Sequence, residues 1–171
     1  MELLIVVDMQ KDFIDGALGT PAAQAIVGVV GDKIRAWREQ GGMVLFTRDT
    51  HGDDYLQTQE GRLLPVVHCR MNTPGWQIDS RLPVCGAPVV DKSTFGSLEL
   101  VQVVRMLNPE AITLVGVCTD ICVISNAMLL KAGLPEVPIT VDAACCAGVT
   151  PERHQNALAA MAACQITICN D

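Results

Sequence analysis

The stretch LVGVCTDICV, Leu114–Val123, decides how the rest of the chain is organised. An apolar run leads into Gly116, and the following Thr119 and Asp120 are residue types that suit the first turn of a helix. The pattern predicts a buried strand, a sharp turn and a helix with Cys122 in its first turn. A thiol there meets the positive end of the helix dipole, which stabilises the thiolate. A buried structural cysteine is the alternative that this stretch leaves open.

The composition of the chain favours an α/β protein without a nucleic-acid or membrane partner. Of its 171 residues, 50% are hydrophobic and only 18% are charged, which is typical of strands buried on both faces of a sheet. This length predicts one domain over residues 1–171. The formal net charge of −7 argues against nucleic acid, and no apolar run is long enough to cross a membrane.

The use of cysteine predicts a cytoplasmic protein. The eight cysteines include no paired CxxC arrangement, and the apolar N-terminal run ends too early, at Asp8, to be a signal peptide. We therefore expect free thiols in a reducing compartment rather than a disulfide framework.

Apolar strand-like runs alternate with amphipathic helical patterns along the chain. Strands are predicted at Glu2–Val7, Met43–Thr47, Pro88–Val90, Ala111–Val117, Val137–Val141 and Gln165–Cys169. Helices are predicted over Ala22–Gln40, Ser97–Leu107, Asp120–Lys131 and from Thr150 to about Ala163. The long section from Thr50 to Pro88 is rich in histidine, aromatic residues and proline, which favours a binding surface. The alternation predicts a parallel sheet with helices on both faces.

Reactive side chains follow the ends of several predicted strands. Asp8, Asp49, Lys92 and Cys122 each come after the C-terminal end of such a strand. Any one acid at a strand end can simply form a turn or a cap. Because ligands of parallel sheets bind beyond the carboxyl ends of the strands, four such groups at one edge indicate a functional site.

A series of motifs resembles the nicotinamidase and isochorismatase-like cysteine hydrolase family. The motifs are, in chain order, DMQKDF from Asp8, DTH from Asp49, HC from His68, DKSTF from Asp91 and GVCTDICV from Gly116. The resemblance covers nearly the whole chain. It implies a three-layer α/β/α sandwich with a mostly parallel six-stranded sheet, which agrees with the alternation of strands and helices.

The resemblance also implies a catalytic set. Cys122 would be the nucleophile, Asp8 the general base and then acid, and Lys92 the third member. Burial on an apolar strand would raise the pKa of Asp8 and let it accept the thiol proton, while Lys92 supplies positive charge. The backbone N–H groups of Cys118 and Cys122 would form an oxyanion hole, with a cis peptide bond before Cys118. A structural ion pair between Asp8 and Lys92 is the alternative.

A metal site is implied by the same resemblance. Its ligands would be two histidines and two carboxylates, namely Asp49, His51, Glu60 and His68. The family varies at the position taken here by Glu60, and Asp53 and Asp54 compete for it. Such a donor set suits one divalent ion, Zn²⁺ first, with Fe²⁺ or Mn²⁺ as alternatives.

The implied substrate is nicotinamide or a close carboxamide, converted to the acid and ammonia in NAD salvage. Phe13 and Phe95 would hold the aromatic ring, with Trp76 as a further wall, and ordinary core packing is the alternative. His154, beside Glu152 and Arg153, is interpreted as a surface residue.

Two other functions stay open at this point. One is a related hydrolase acting on a carbamoyl or ureido substrate, and the other is a metal- or thiol-binding or redox-sensing protein without turnover. The partner is expected to be a small-molecule amide, and a homo-oligomer stays open.

Overall fold

A six-stranded sheet with strand order β3-β2-β1-β4-β5-β6 forms the middle of the molecule, and every neighbouring pair is parallel. The computed structural model describes all residues, Met1–Asp171. The strands are β1 (Glu2–Val7), β2 (Met43–Asp49), β3 (Val89–Lys92), β4 (Ala111–Val117), β5 (Ile139–Ala147) and β6 (Thr167–Cys169). The helices are α1 (Lys11–Ile14), α2 (Pro21–Glu39), α3 (Gln59–Leu63), α4 (Leu98–Leu107), α5 (Ile124–Gly133) and α6 (Pro151–Ala163).

Alternate residues of β1 pack into two separate apolar layers, one on each face of the sheet. Leu3, Ile5 and Val7 pack with residues of α4, α5 and α6, whereas Leu4 and Val6 pack with residues of α2. All five side chains are fully buried, which is what a continuous apolar run in a parallel sheet predicts. The predicted three-layer α/β/α sandwich is confirmed.

Hydroxyl side chains begin the long helices as their sequence patterns indicate. Thr20 accepts a hydrogen bond from the N–H of Ala23 at the start of α2, and Thr150 accepts one from the N–H of Arg153 at the start of α6. None of the helices combines the length and the apolar composition needed to cross a bilayer.

The ends of neighbouring strands lie side by side at the carboxyl edge of the sheet. Asp49 is in register with Lys92, and Val7 is in register with Gly116. Gly116 has a φ of +119°, and a Cβ atom there would lie 2.2 Å from the carbonyl oxygen of Val7. Only glycine lets β4 approach the last residue of β1 this closely.

The predicted strand bounds differ from those of β2, β3, β5 and β6, most of all at the end of β5. The sequence pattern ends the fifth strand at Asp142, but β5 continues to Ala147 across a register shift against β4. Asp142 is buried in the strand because Lys33 Nζ lies 2.8 Å from its Oδ2 and Asn170 donates to its Oδ1. The sequence pattern interprets Asp142 as a strand end, but Lys33 of α2 neutralises its charge within the strand. Asp142 therefore lies before the carboxyl edge of the sheet.

Candidate active site

Three buried reactive side chains meet at the carboxyl edge of the sheet. Lys92 Nζ lies 2.5 Å from Asp8 Oδ2 and 3.5 Å from Cys122 Sγ. Asp8 is fully buried, and Lys92 and Cys122 are 3% and 4% exposed. These groups come from the ends of β3 and β1 and from the turn after β4, as the strand ends predict.

The Asp8 carboxyl group is fixed in position by the neighbouring strand. Thr47, on β2, donates its hydroxyl proton to Asp8 Oδ1 at 2.6 Å and accepts the Asp8 N–H at 3.2 Å. Asp8 has a φ of +47°, a region that non-glycine residues seldom occupy and that recurs at functional sites. Sequence reasoning missed Thr47, because a threonine inside a strand carries no signal of such a contact.

The protonation pattern favours a neutral thiol in the free protein. Burial raises the pKa of the Cys122 thiol well above its ordinary value, and the Asp8 carboxylate raises it further. Burial also raises the pKa of Asp8, with Lys92 opposing it. Desolvation of the charged sulfur is the largest of these effects, and it opposes the stabilisation of a thiolate that a helix end provides. The thiol needs a base at the moment of reaction.

The turn that carries the cysteine is a π-type turn, Thr119–Val123, rather than the first turn of a regular α-helix. Such turns are rare and occur often at functional sites. The buried Asn126 fixes this turn, because its Nδ2 donates to the carbonyls of Cys122 at 2.8 Å and Phe95 at 3.1 Å. The peptide bond between Val117 and Cys118 is cis, as the family resemblance implies.

Four further side chains form a compact cluster beside this triad. One potential ligand atom from each of them lies within 4.8 Å of the others: Asp49, His51, Glu60 and His68. Asp49 Oδ2 lies 2.9 Å from His51 Nε2 and 3.5 Å from His68 Nε2. Glu60 Oε1 lies 3.7 and 3.8 Å from the same two nitrogens.

The surroundings of this cluster fit a metal ion. His68 Nδ1 lies 2.7 Å from the carbonyl oxygen of Val66, so a proton on Nδ1 leaves Nε2 free as a ligand. The ring of Tyr55 covers both imidazoles, with centroids 4.6 Å from His51 and 5.1 Å from His68. Two imidazoles and two carboxylates are donors that Zn²⁺, Fe²⁺ and Mn²⁺ accept.

The competing acids lie away from the cluster. Asp53 is exposed and pairs with Arg70 at 3.1 Å, and Asp54 is also exposed. Glu60 is brought inward because α3 packs closely on the preceding turn. A Cβ atom at Gly61 would lie 1.9 Å from the carbonyl oxygen of Tyr55, so glycine permits this approach.

One carboxylate belongs to both groups of residues. Asp49 Oδ1 lies 3.3 Å from Lys92 Nζ, while its Oδ2 faces the histidines. The fully buried Gln10 fixes the backbone of Asp49, because it accepts the Asp49 N–H at 2.7 Å and donates to the Asp49 carbonyl at 2.8 Å. The triad and the metal-type cluster are thus built on a common support.

A cavity of about 510 Å³ opens onto both groups. Cys122, Asp49, Glu60 and His68 contribute to its lining, and so do the two predicted aromatic residues: Phe13 and Phe95. Phe13 also packs on His68, with ring centroids 5.5 Å apart. Phe95 is 42% exposed, so it forms an outer part of the wall.

The prediction that Trp76 forms a wall of the substrate pocket is wrong, because Trp76 does not line this cavity. Its ring lies under the guanidinium group of Arg48, 3.6 Å from the ring centroid, and its indole N–H donates to Thr50 at 2.8 Å. A cation stacked on the indole and a satisfied N–H explain its burial without a ligand.

His154 is not a free surface residue either. Its Nδ1 lies 2.7 Å from the Thr119 hydroxyl oxygen, and its side chain packs against the backbone at Gly148. It therefore joins α6 to the turn that carries the cysteine. A histidine among charged neighbours gives no sequence signal of this contact.

The sequence profile of the isochorismatase domain matches residues 2–170. The chain belongs to the isochorismatase family. Nicotinamidase from Saccharomyces cerevisiae is 33% identical over a match that covers 46% of this chain and 48% of that protein. The match therefore spans about half the length of this curated relative.

Solved structures support the same family membership. The chain is similar to the crystal structure of pyrazinamidase of Pyrococcus horikoshii in complex with zinc, with a TM-score of 0.87, 30% identity and 99% of each chain covered. It is also similar to N-carbamoylsarcosine amidase from Thermoplasma acidophilum, with a TM-score of 0.80 and 25% identity. That match covers 98% of this chain and 94% of the other.

Asp12 is a further residue of this family member that sequence reasoning missed, although it lies within DMQKDF. Its Oδ2 accepts the N–H of Cys69 at 2.8 Å, directly after His68, and its Oδ1 accepts the N–H of Ala17 at 3.3 Å. Cys69 has a φ of +44°, so the loop needs this support. The Asp12 carboxylate thereby joins the His68 segment to the residues after α1.

We expect Asp12→Asn to weaken metal binding by about ten- to a hundredfold, as loss of a supporting contact behind a ligand does. The amide has one oxygen and cannot accept both N–H groups. Competition with a chromophoric chelator measures the affinity. Asp15→Asn is the matched control, because Asp15 is an exposed acid that pairs with Lys11. Equal affinities in the two variants would contradict the positioning role.

Proposed function

We propose that this chain is a cysteine amidohydrolase acting on nicotinamide or a close aromatic carboxamide, producing the acid and ammonia. The observation that carries this proposal is the position of Cys122 at the wall of a cavity, 3.5 Å from Lys92 and beside Asp8. The likeness to nicotinamidase and pyrazinamidase supports the choice of substrate class.

The first half of the reaction forms a thioester. Asp8 takes the proton of the Cys122 thiol, and Lys92 stabilises the resulting negative charge. The sulfur attacks the carboxamide carbon, and the oxygen of the tetrahedral adduct is held by the N–H groups of Cys118 and Cys122. The Cys118 N–H donates no hydrogen bond within the protein, which leaves it free for this role. Protonated Asp8 then gives its proton to the departing nitrogen, and ammonia leaves.

The second half returns the enzyme to its starting state. Asp8 takes a proton from a water molecule as the water oxygen attacks the thioester carbon. The carbon–sulfur bond breaks, the acid is released, and Asp8 returns the proton to the Cys122 sulfur. The raised pKa of Asp8 suits this exchange, because a carboxylate with a raised pKa accepts a proton more readily than an ordinary aspartate.

The metal-type cluster has a binding role in this proposal. Asp49, His51, Glu60 and His68 would hold one divalent ion, and we favour Zn²⁺ because of the donor set and the zinc complex of the Pyrococcus horikoshii relative. When bound, the ion supplies a coordination position for the nitrogen of a pyridine-type ring. Phe13 packs directly on His68, so its ring would be available to contact an aromatic substrate held there.

Release of ammonia from a panel of amides tests the proposal. Nicotinamide and pyrazinamide are expected to be hydrolysed, with N-carbamoyl amino acids poor substrates. Preferential turnover of N-carbamoyl amino acids would instead favour the function suggested by the likeness to N-carbamoylsarcosine amidase. Absence of ammonia release from every amide, with metal bound, would favour a binding or sensing protein.

We expect Phe13→Ala to lower kcat/KM for nicotinamide by about 1–3 kcal/mol of transition-state binding, with the fold retained, because a stacking contact is lost. The same variant should lose much less activity towards an aliphatic amide of similar size. Steady-state kinetics on both substrates measures the difference. If the wild type hydrolysed aliphatic amides as well as nicotinamide, the ring-binding role would be wrong.

A further inference from the structure

The cavity around Cys122 has room for more than a single-ring carboxamide. Its volume of about 510 Å³ lies within the range of roughly 300–1,000 Å³ that is typical of pockets for drug-sized ligands. Uncharged side chains form a large part of its lining: Ala17, Leu18, Thr20, Ile121 and Val149. Substrate groups beyond the reacting ring therefore have a surface to contact.

Arg153 is the one arginine or lysine among the residues that line this cavity. The charged residues of the lining are otherwise the carboxylates Asp49 and Glu60, which belong to the metal-type cluster. In a chain with a formal charge of −7, a cation in the cavity wall is a distinctive feature. It lies on the first turn of α6, and its side chain is 52% exposed.

The guanidinium group of Arg153 is held from one side. Its Nε lies 2.6 Å from Asp120 Oδ2, and the other oxygen of Asp120 accepts the N–H of Val149 at 3.0 Å. The Asp120 side chain is only 6% exposed, so this anchor is itself fixed. This ion pair restricts the guanidinium group, so the group loses less freedom when its two terminal nitrogens bind a ligand.

The two terminal nitrogens of Arg153 have no hydrogen-bond partner within the protein, since its one polar side-chain contact is the Asp120 pair through Nε. Terminal N–H groups of this kind match a carboxylate in a two-pronged arrangement. Support of the Cys122 turn through Asp120 does not by itself explain why Arg153 lines the cavity.

We propose that Arg153 determines substrate specificity by binding an anionic group, most simply a carboxylate, on the part of a carboxamide substrate away from the reacting amide. This proposal rests on the proposed amidohydrolase function and extends it. The preferred substrate is then an aromatic carboxamide that carries a second, acidic substituent. Asp120 positions the arginine, and the apolar lining contacts the body of the substrate.

The test compares matched pairs of substrates in which only the charge differs. The monoamides of isophthalic and terephthalic acid carry the carboxylate, and their methyl esters are neutral molecules of nearly equal size. We expect the wild type to prefer at least one acid over its ester in kcat/KM for ammonia release by roughly ten- to a hundredfold, as hydrogen bonds to a charged group allow. Arg153→Gln should reduce this ratio to near one, and Arg153→Lys should keep part of it.

Arg105→Gln is the control for loss of charge, because Arg105 is exposed on α4 and lies outside the cavity lining. It should leave the ratio unchanged. A wild-type ratio of one or less for both pairs, or an equal loss of acid and ester turnover in Arg153→Gln, would overturn the proposal. The second result would assign Arg153 to the support of the turn alone.

A binding measurement separates this inference from the proposed function. Calorimetric titration with isophthalate and terephthalate against benzoate needs no turnover. Tighter binding of a diacid by the wild type, lost in Arg153→Gln, supports the anion site even if no amide is hydrolysed. Hydrolysis of nicotinamide without any preference for acids would retain the proposed function and reject the role of Arg153.

Discussion

Replacing Cys122 with alanine is expected to lower kcat for nicotinamide by about 10⁴-fold or more, because loss of a covalent nucleophile removes the thioester route altogether. The fold should survive, since alanine removes one sulfur atom from a turn that Asn126 holds through backbone carbonyls. Ammonia release measures the activity, and circular dichroism with thermal unfolding checks the structure.

Cys118→Ala is the matched control for this variant. Cys118 borders the same cavity, but only its backbone N–H enters the proposed mechanism. Burial raises the pKa of its thiol to about 12, so it is a poor nucleophile at neutral pH. This variant should keep most of the activity. An inactive Cys118→Ala together with an active Cys122→Ala would reverse the assignment.

Removal of the metal is expected to lower turnover by at least about a hundredfold, since a bound ion contributes several kcal/mol of binding and charge stabilisation. It should also increase proteolysis between Thr50 and Pro88. Glu60 and His68 lie in that segment, and metal binding returns part of its free energy as order in the segment that supplies the ligands. Chelator already saturated with zinc is the control, and metal analysis should find one ion per chain.

The identity of the fourth ligand is tested by three alanine variants. Glu60→Ala should weaken metal binding by at least about tenfold, whereas Asp53→Ala and Asp54→Ala should have little effect because both acids are exposed. Competition with a chromophoric chelator compares the three proteins. If Glu60→Ala held metal as tightly as the wild type and an aspartate variant lost it, the cluster would have been assigned the wrong acid.

The sheet could be predicted because its strands are short apolar runs that carry their own boundaries. Glu2–Val7 and Ala111–Val117 have the bounds that the pattern indicates. Asp142 was misleading because its charge is neutralised by Lys33, 109 positions away, and local sequence carries no record of such a partner. Long-range ion pairs of this kind move strand ends without changing the pattern.

Grouping of the reactive residues could also be anticipated, because parallel strands place their carboxyl ends together. The contacts that support these residues could not be predicted from the sequence. Thr47 donates a hydrogen bond to Asp8, and Gln10 fixes the backbone of Asp49. Asn126 donates to the carbonyls of Cys122 and Phe95. Each contact links segments whose spacing depends on the register of the sheet. Arg153 reads as a charged residue on an exposed helix, and only the structure places it in the cavity wall.

The strand order has a consequence for how the protein becomes active as it folds. Asp8, Asp49 and Lys92 come from β1, β2 and β3, and Cys122 follows β4, so each group depends on a different one of four adjacent strands. Parallel pairings join distant parts of the chain, and they form slowly because each closes a long loop. All four groups are present only when the chain extends to Cys122. A nascent chain therefore cannot bring them together before β4 has joined the sheet. In the proposed mechanism, catalytic competence therefore requires these four of the six strands to be assembled, and a chain that stalls earlier in folding has a cysteine without its partners.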